Sequence, residues 1–356
     1  MSLATPAQAR SGLAPPAAAL QQRVAALRLP TPRQLDERLE ALGYRGQAAA
    51  RRAACVLAWR HVRRLQRLHL DGVDPAELPE RDNYLLVGPT GCGKTHLVEL
   101  LFRQLLEVPA VVVDVTAFSE TGYVGHDVST ILTRLVNAAG GDEAWASCGV
   151  VCLDEFDKLA GSTSSARFAG AETTKDVSGW GVQRSLLGLL SGAYGEYAPD
   201  HGYSGRTEPR HLPLGGITFV ACGAFSGLRR AEAAARPVGF GEPEGSRQDV
   251  APARLEPAAL ERQGFMPELI GRFSRVVELE PLGLPELRRI LDDQARRTVR
   301  ELKAEGLTLA LDEAALGALA ARAHRDGHGA RGLRSALALR VEELVYDGLA
   351  PRGRLD

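Results

Sequence analysis

Apolar residues along this chain follow two periodicities. Tyr84–Val87, Ala110–Val115, Val150–Leu153, Ile217–Ala221 and Val276–Leu279 are short, nearly unbroken apolar runs, the pattern of strands buried on both faces. Between them apolar residues recur at helical spacing. Thr31-Pro32-Arg33-Gln34 offers a capping hydroxyl, a proline at the first helical position and a glutamine at the third, which together mark a helix start. Leu35, Leu39 and Leu42 continue that helix towards Gly43, a residue suited to end it. A second helix is predicted from about Gln47 to Leu68, with Leu57, Leu65 and Leu68 on its apolar side, and another from His96 to Leu106. Strands alternating with helices predict an α/β fold, a parallel sheet covered by helices on both faces. From about Leu284 the strands nearly stop. Helical patterns over about 284–304, 312–325 and 331–349 predict a smaller, mainly helical C-terminal domain. The chain therefore divides into an N-terminal arm, 1–30, a large domain, 31–281, and a small helical domain, 282–356.

Composition narrows the class. The chain has 356 residues, 45% of them apolar and 24% charged, ordinary globular values that suggest about two domains. A net charge of −1 supplies no overall field for nucleic acid or an anionic membrane. No apolar run approaches the ~20 residues a membrane helix needs, so a cytoplasmic protein without membrane or nucleic-acid partners is expected. Residues 1–30 are rich in Ala and Pro, with Arg10, Arg23 and Arg28 and no acid; they predict a disordered, solvated arm. An organellar transit peptide is the alternative, but such a segment should be Ser-rich and amphipathic. Cys55, Cys92, Cys148, Cys152 and Cys222 are scattered through apolar stretches, which predicts buried free thiols in a reducing compartment. Arg51, Arg52, Arg60, Arg63, Arg64 and Arg67 make the second helix basic. Without an aromatic platform beside them they read as a solvated or subunit-facing side.

The chemistry starts at Gly88-Pro89-Thr90-Gly91-Cys92-Gly93-Lys94-Thr95, which follows the first apolar run and precedes a helix at His96. This is the phosphate loop in the strand-to-helix context that gives the motif meaning. Its glycines let successive backbone N–H groups turn towards an anion, and the helix N-terminus adds positive potential. Lys94 can reach the β- and γ-phosphates and Thr95 can ligate Mg²⁺. The segment from Gly88 to His96 is thus the expected cofactor-binding stretch, with ATP and Mg²⁺ as cofactors. Val150-Val151-Cys152-Leu153 then ends in Asp154-Glu155. At a strand's C-terminal edge Asp154 can hold the metal while Glu155 polarises water, so hydrolysis is expected, not binding alone.

From here the chain resembles the ClpX-type AAA+ unfoldases of the Clp/HslU branch. Asp154-Glu155-Phe156-Asp157-Lys158 is similar to that branch's acidic motif, and Gly122-Tyr123-Val124-Gly125 to its pore loop. Asp176-Val177-Ser178-Gly179-Trp180-Gly181-Val182-Gln183 resembles a second pore segment. Pro267-Glu268-Leu269-Ile270-Gly271-Arg272 resembles the box carrying the family's arginine finger, and Gly329-Ala330-Arg331-Gly332-Leu333-Arg334 its sensor-2 motif. The similarity runs from about Pro30 to Gly348 in family order. HslU itself carries a large insertion after the acidic strand, and Lys158 to Ser178 is too short for it.

The resemblance implies a homohexameric ATPase that unfolds and threads protein substrates and feeds a ClpP-type peptidase, the family's usual arrangement. Tyr123 and Val124 would grip substrate in the pore, with Trp180 in place of the family's usual acid. Arg272 would act in a neighbouring subunit's site, and Arg331 would sense the same phosphate and couple it to domain rotation. Pro237-Val238-Gly239-Phe240-Gly241 resembles the tip that docks onto the peptidase, through Val238, Gly239 and Phe240. The alternatives are a nucleotide-gated chaperone without a protease partner and, less in keeping with Gly-Tyr-Val-Gly, a nucleic-acid remodeller. The chain also departs from the pattern. No cysteine precedes Cys55, so the family's N-terminal zinc-binding module is expected to be lacking. Tyr44-Arg45-Gly46-Gln47 resembles the adenine-side box with bulkier residues where Val-Ile is usual. Cys222 lies near the sensor-1 position, and Arg206, Arg210 and His211 are stand-ins for a basic substrate loop.

Overall fold

The computed structural model describes residues 16–118, 127–160, 179–199, 208–228, 257–304, 309–310, 313–327, 329–346 and 353–354. Strands β1 (Tyr84–Val87), β2 (Ala110–Asp114), β3 (Val150–Asp154), β4 (Tyr194–Tyr197), β5 (Arg210–Pro213), β6 (Thr218–Gly223) and β7 (Arg275–Glu278) follow in chain order. Five of them form a parallel sheet in the order β2-β3-β6-β1-β7, while β4 and β5 pair antiparallel beside it. The apolar runs alternate between two cores. Leu85, Val87, Val151, Leu153, Phe219 and Ala221 face one; Tyr84, Leu86, Val150, Cys152, Val220 and Cys222 face the other. Burial on both faces is what continuous apolar strands require.

The second core is closed by the helices Pro32–Ala41 and Ala48–His69. Thr31 forms the expected capping box: Gln34 N–H donates to its hydroxyl at 3.3 Å, and its own N–H donates to Gln34 Oε1 at 2.9 Å. Three of the basic helix's arginines turn out to serve their own chain. Arg51 pairs with Asp36 at 3.0 Å, Arg60 with Asp82 at 3.2 Å, and Arg64 Nε donates to the Gly215 carbonyl at 2.8 Å. His61 ties the same helix to the sheet. Its Nε2 lies 3.1 Å from the Cys148 carbonyl, which must accept, so Nδ1 takes the Thr218 hydroxyl at 2.9 Å. Burial pushes its pKa down to about 4, consistent with a neutral ring.

Part of the N-terminal arm differs from the expectation, its first fifteen residues lying outside the described residues. Pro16–Ala26 is a helix, with Val24 buried against Leu65 and Cys148. Arg23 pairs with Asp142 at 3.2 Å and lies over the Trp145 ring at 5.6 Å. Leu20, Val24 and Leu27 stand at i, i+4 and i+7, an apolar stripe that the Ala/Pro composition obscures. A second difference follows the phosphate loop. The helix predicted to run unbroken from His96 is α-helical over Lys94–Val98 and π-helical over Glu99–Leu105, an interruption often found next to functional sites.

After β7 come the helices Leu284–Ala304, Glu313–Arg325 and Gly329–Tyr346. They share a core of their own around Leu287, Leu291, Leu316, Ala320, Leu333 and Leu337. Two short strands, Leu309–Ala310 and Gly353–Arg354, pair in parallel beside them. Among the described residues no helix is long and apolar enough to cross a membrane.

Candidate functional site

The phosphate loop leaves β1 at the C-terminal edge of the sheet, beside the ends of β3 and β6. Gly88 N–H donates to the Gly223 carbonyl at 3.1 Å. A Cβ at Gly88 would stand 2.7 Å from the Leu279 carbonyl oxygen, so only glycine fits. Gly91 and Gly93 have φ of 78° and 98°, a region an L side chain seldom enters. Lys94 is buried and bends back along the loop, its Nζ donating to the carbonyls of Gly88 at 2.7 Å and Pro89 at 3.0 Å. Two of its three donors are thereby held within the cradle.

Thr95 and Asp154 meet across the gap between the loop and β3. The Thr95 hydroxyl donates to Asp154 Oδ2 at 2.8 Å, and Asp154 Oδ1 accepts the Glu155 N–H at 2.9 Å. A hydroxyl and a carboxylate held side by side are the hard oxygen donors that Mg²⁺ takes, so the residues present fit this ion. Glu155 has a left-handed backbone, φ 55°, which costs a non-glycine residue about 1–3 kcal/mol. The turn after it compensates. Lys158 N–H donates to the Glu155 carbonyl at 2.9 Å, Asp157 Oδ1 accepts Ala224 N–H at 3.0 Å, and Phe156 stacks on Phe265 with centroids 5.4 Å apart. The backbone that carries Glu155 is thus held by a rigid bend at the end of β3.

The segment before the basic helix closes the other side. The Tyr44 hydroxyl donates to the Gly93 carbonyl at 3.3 Å, and its ring stacks with His96 at 6.1 Å. Burial raises the Tyr44 pKa and lowers that of His96, the latter opposed by Glu99 and helped by Arg297. Arg45 does not face the loop. It donates to Asp293 Oδ2 through Nε at 2.9 Å and Nη2 at 2.6 Å, tying this segment to the helix Leu284–Ala304. A cavity of about 690 Å³ opens beside that pair, lined by Leu42, Arg296, Arg297 and Arg300. The Gln47 amide exchanges two hydrogen bonds with the backbone of Glu280, at 2.6 and 3.0 Å.

The two arginines predicted from motifs sit at opposite ends of the sheet. Arg331 opens the helix Gly329–Tyr346, whose Ala330 N–H donates to the Gly91 carbonyl at 3.0 Å. It therefore lies beside the phosphate loop of its own chain. Arg272 precedes β7, which runs parallel to β1 with Tyr84 opposite Arg275 and Val87 opposite Glu278. It is at the N-terminal edge, and the length of β1, roughly 13 Å, separates it from the end where the phosphate loop begins. Its side chain is exposed.

Other expectations divide. Trp180 is exposed at the start of the helix Trp180–Ser191. Tyr123, Val124, Val238, Gly239 and Phe240 lie outside the described residues, as does Arg206. Arg210 pairs with Glu143 at 2.6 Å and is committed to β5. Cys222, near the sensor-1 position, is buried in the second core together with Cys92 of the phosphate loop, its Sγ 3.7 Å from Cys152 Sγ. Sequence reasoning overlooked Asn83, a buried amide just before β1 that bonds to Arg272 and Phe219. A polar residue abutting a buried strand was the one available signal.

Comparison with known proteins agrees with this arrangement. Residues 80–276 match the model of an AAA domain (Cdc48 subfamily), and residues 282–354 that of the C-terminal, D2-small domain of ClpB protein. The chain is 34% identical over 336 residues to the ATP-dependent Clp protease ATP-binding subunit ClpX of Treponema denticola, covering 90% of this chain and 77% of that one. It is 35% identical over 318 residues to ClpX of Azotobacter vinelandii, covering 85% and 71%. It is 37% identical over 313 residues to ClpX 3 of Methylococcus capsulatus, covering 82% and 71%. Phosphate loop, acidic strand end and helical C-terminal unit stand in one α/β frame, and the chain belongs to the ClpX family of AAA+ ATPases.

Proposed function

We propose that copies of this ATPase assemble head to tail into a cytoplasmic homohexamer that unfolds proteins by pulling them through its centre. The observation that carries the ring is the placement of Arg272. An exposed arginine at the far edge of the sheet from its own phosphate loop is poorly placed to serve its own nucleotide and free to reach another chain's, and a heterologous contact of that kind generates a ring when it closes.

Within each site the chain's own residues divide the work. Lys94, the loop N–H groups and the N-terminus of the following helix bind and orient the phosphates. Thr95 and Asp154 would hold Mg²⁺, which when bound neutralises phosphate charge. Glu155, held on its bend, takes a proton from the attacking water. Arg272 of the neighbour meets the charge that develops on the transferred phosphoryl group, and Arg331 reads the same group from the C-terminal unit of its own chain. Because Arg331 rides on helices that also hold Arg45 through Asp293, loss of the phosphate would let that unit rotate. Tyr123, Val124 and Trp180 then pass the motion to a polypeptide by non-directional apolar contact.

The relatives' names couple them to a Clp protease. We extend this to the present chain, with Val238, Gly239 and Phe240 as the docking tip. Six weak apolar tips on one ring gain from multivalency, so wild type should co-sediment with ClpP in ATP and Phe240→Ala should lose this by about 10²-fold or more in avidity. Equal association of the two proteins, or none by wild type, would remove the docking assignment.

A further inference from the structure

An arginine that must reach into a neighbour's site needs its backbone held, and here one side chain does so from the interior of the sheet. Asn83 is 2% exposed. Its Nδ2 donates to the Arg272 carbonyl at 3.1 Å, and its Oδ1 accepts the Phe219 N–H of β6 at 3.0 Å. The amide cannot be turned over, because that would set its oxygen against a carbonyl and its nitrogen against an N–H. The Asn83 carbonyl accepts the Ser274 N–H at 2.8 Å, with the Ser274 hydroxyl 3.2 Å away and also 3.1 Å from Asp82 Oδ1. The residue between these two anchor points, Phe273, is buried and meets the Phe156 ring edge-on at 5.4 Å. The segment leading to Asn83 is itself fixed. Arg81 donates to the carbonyls of Leu214 at 2.7 Å and Leu190 at 2.6 Å. By contrast the Arg272 side chain is exposed and makes no hydrogen bond or ion pair among the described residues. Among the described residues the hydrogen bonds that restrain its direction are therefore those of its backbone and of the turn that follows it.

We propose that Asn83 is a positioning residue for catalysis in the adjacent subunit, fixing the backbone from which Arg272 projects. This rests on the reading that Arg272 acts across the subunit boundary. The amide bridges β6 and the turn before β7, so it transmits the rigidity of the central sheet to an element at its edge. Nothing in the chain's own phosphate site touches it. Its loss should therefore leave nucleotide binding in place and weaken turnover next door.

The test uses co-assembled rings. Asn83→Asp keeps an oxygen for Phe219 N–H but sets a carboxylate against the Arg272 carbonyl. A misdirection of about 1 Å is enough to lower ATP turnover by about 10²-fold, while affinity for a fluorescent ATP analogue stays within about two-fold of wild type. Glu155→Gln subunits cannot turn over ATP themselves but carry a correctly held Arg272. Mixed with Asn83→Asp subunits in equal amounts, they should restore hydrolysis to about a quarter of wild type, the share of interfaces in random rings that join the two in the productive order. A purely structural defect in Asn83→Asp would not be cured by a neighbour. Arg272→Ala mixed with Glu155→Gln is the companion arm. Restoration there but not with Asn83→Asp overturns the positioning role alone. Failure of the Arg272→Ala mixture overturns the trans-acting arginine itself. Unchanged turnover in Asn83→Asp rings also refutes the proposal. Should Asn83→Asp fail to bind nucleotide, Asn83→Ser, which retains a shorter donor, is judged by the same mixtures and the same criterion.

Discussion

Glu155→Gln is expected to lower ATP turnover by about 10²–10⁴-fold, the range supplied by a positioned general base, and to leave ATP affinity within a few-fold. The separation follows from where the groups sit. In the proposed site the phosphate contacts would belong to Lys94 and the loop backbone, and the metal donors would be Thr95 and Asp154, joined at 2.8 Å. Glu155 takes part in neither. Among the described residues its one hydrogen bond to Asp154 is through its backbone N–H, at 2.9 Å, which glutamine keeps. The amide is nearly isosteric, so the left-handed bend and the Phe156 anchor should persist. What glutamine cannot do is accept a proton. Nucleotide titration and single-turnover hydrolysis on the same preparation separate the two quantities. Undiminished turnover would move the base elsewhere; lost binding would mean that Glu155 shapes the cradle.

Arg272→Ala should cost about 10³-fold or more in turnover, the scale of arginine fingers in other phosphoryl-transfer enzymes, again without loss of ATP binding. The effect is large because the charge it meets develops only in the transition state, so its removal leaves the ground state alone. It should also depend on assembly. Diluting wild type until rings dissociate should lower its specific activity towards that of Arg272→Ala, whereas dilution should hardly change the variant. Arg331 contrasts with it, because Ala330 N–H already touches Gly91 and its proposed role is at its own chain's loop. A wild-type protein with the same specific activity at all dilutions, including those where it is monomeric, would contradict the trans role.

The parts of this molecule written in the sequence are those whose causes are local or periodic. The capping box at Thr31, the alternating cores of the strands and the phosphate loop each need only a few consecutive residues. Strand-to-helix context then placed Asp154 and Glu155 at the same edge of the sheet as Lys94, since parallel strands end together. The parts that were not legible depend on distant partners. Asn83 gains its role from residues 136 and 189 positions away. Arg45 looked misplaced in a box that favours small apolar residues until Asp293, 248 positions on, supplied its carboxylate. The N-terminal helix looked like a solvated arm because Ala and Pro outweigh its few leucines and valines, yet Val24 finds a seat made by Leu65 and Cys148. The arginines of the basic helix looked free for the same reason, and Asp36, Asp82 and the Gly215 carbonyl occupy three of them.

The central claim is that hydrolysis at these sites is converted into pulling on protein. It is tested most directly by following the fluorescence of a stably folded fluorescent protein, carrying varied terminal tags, mixed with this protein, ATP and Mg²⁺. Wild type should extinguish the fluorescence of at least one tagged form only while ATP is being hydrolysed, and Tyr123→Ala should hydrolyse ATP yet leave the fluorescence intact. Steady hydrolysis by wild type with every tagged form still fluorescent, or equal unfolding by Tyr123→Ala, would contradict the account.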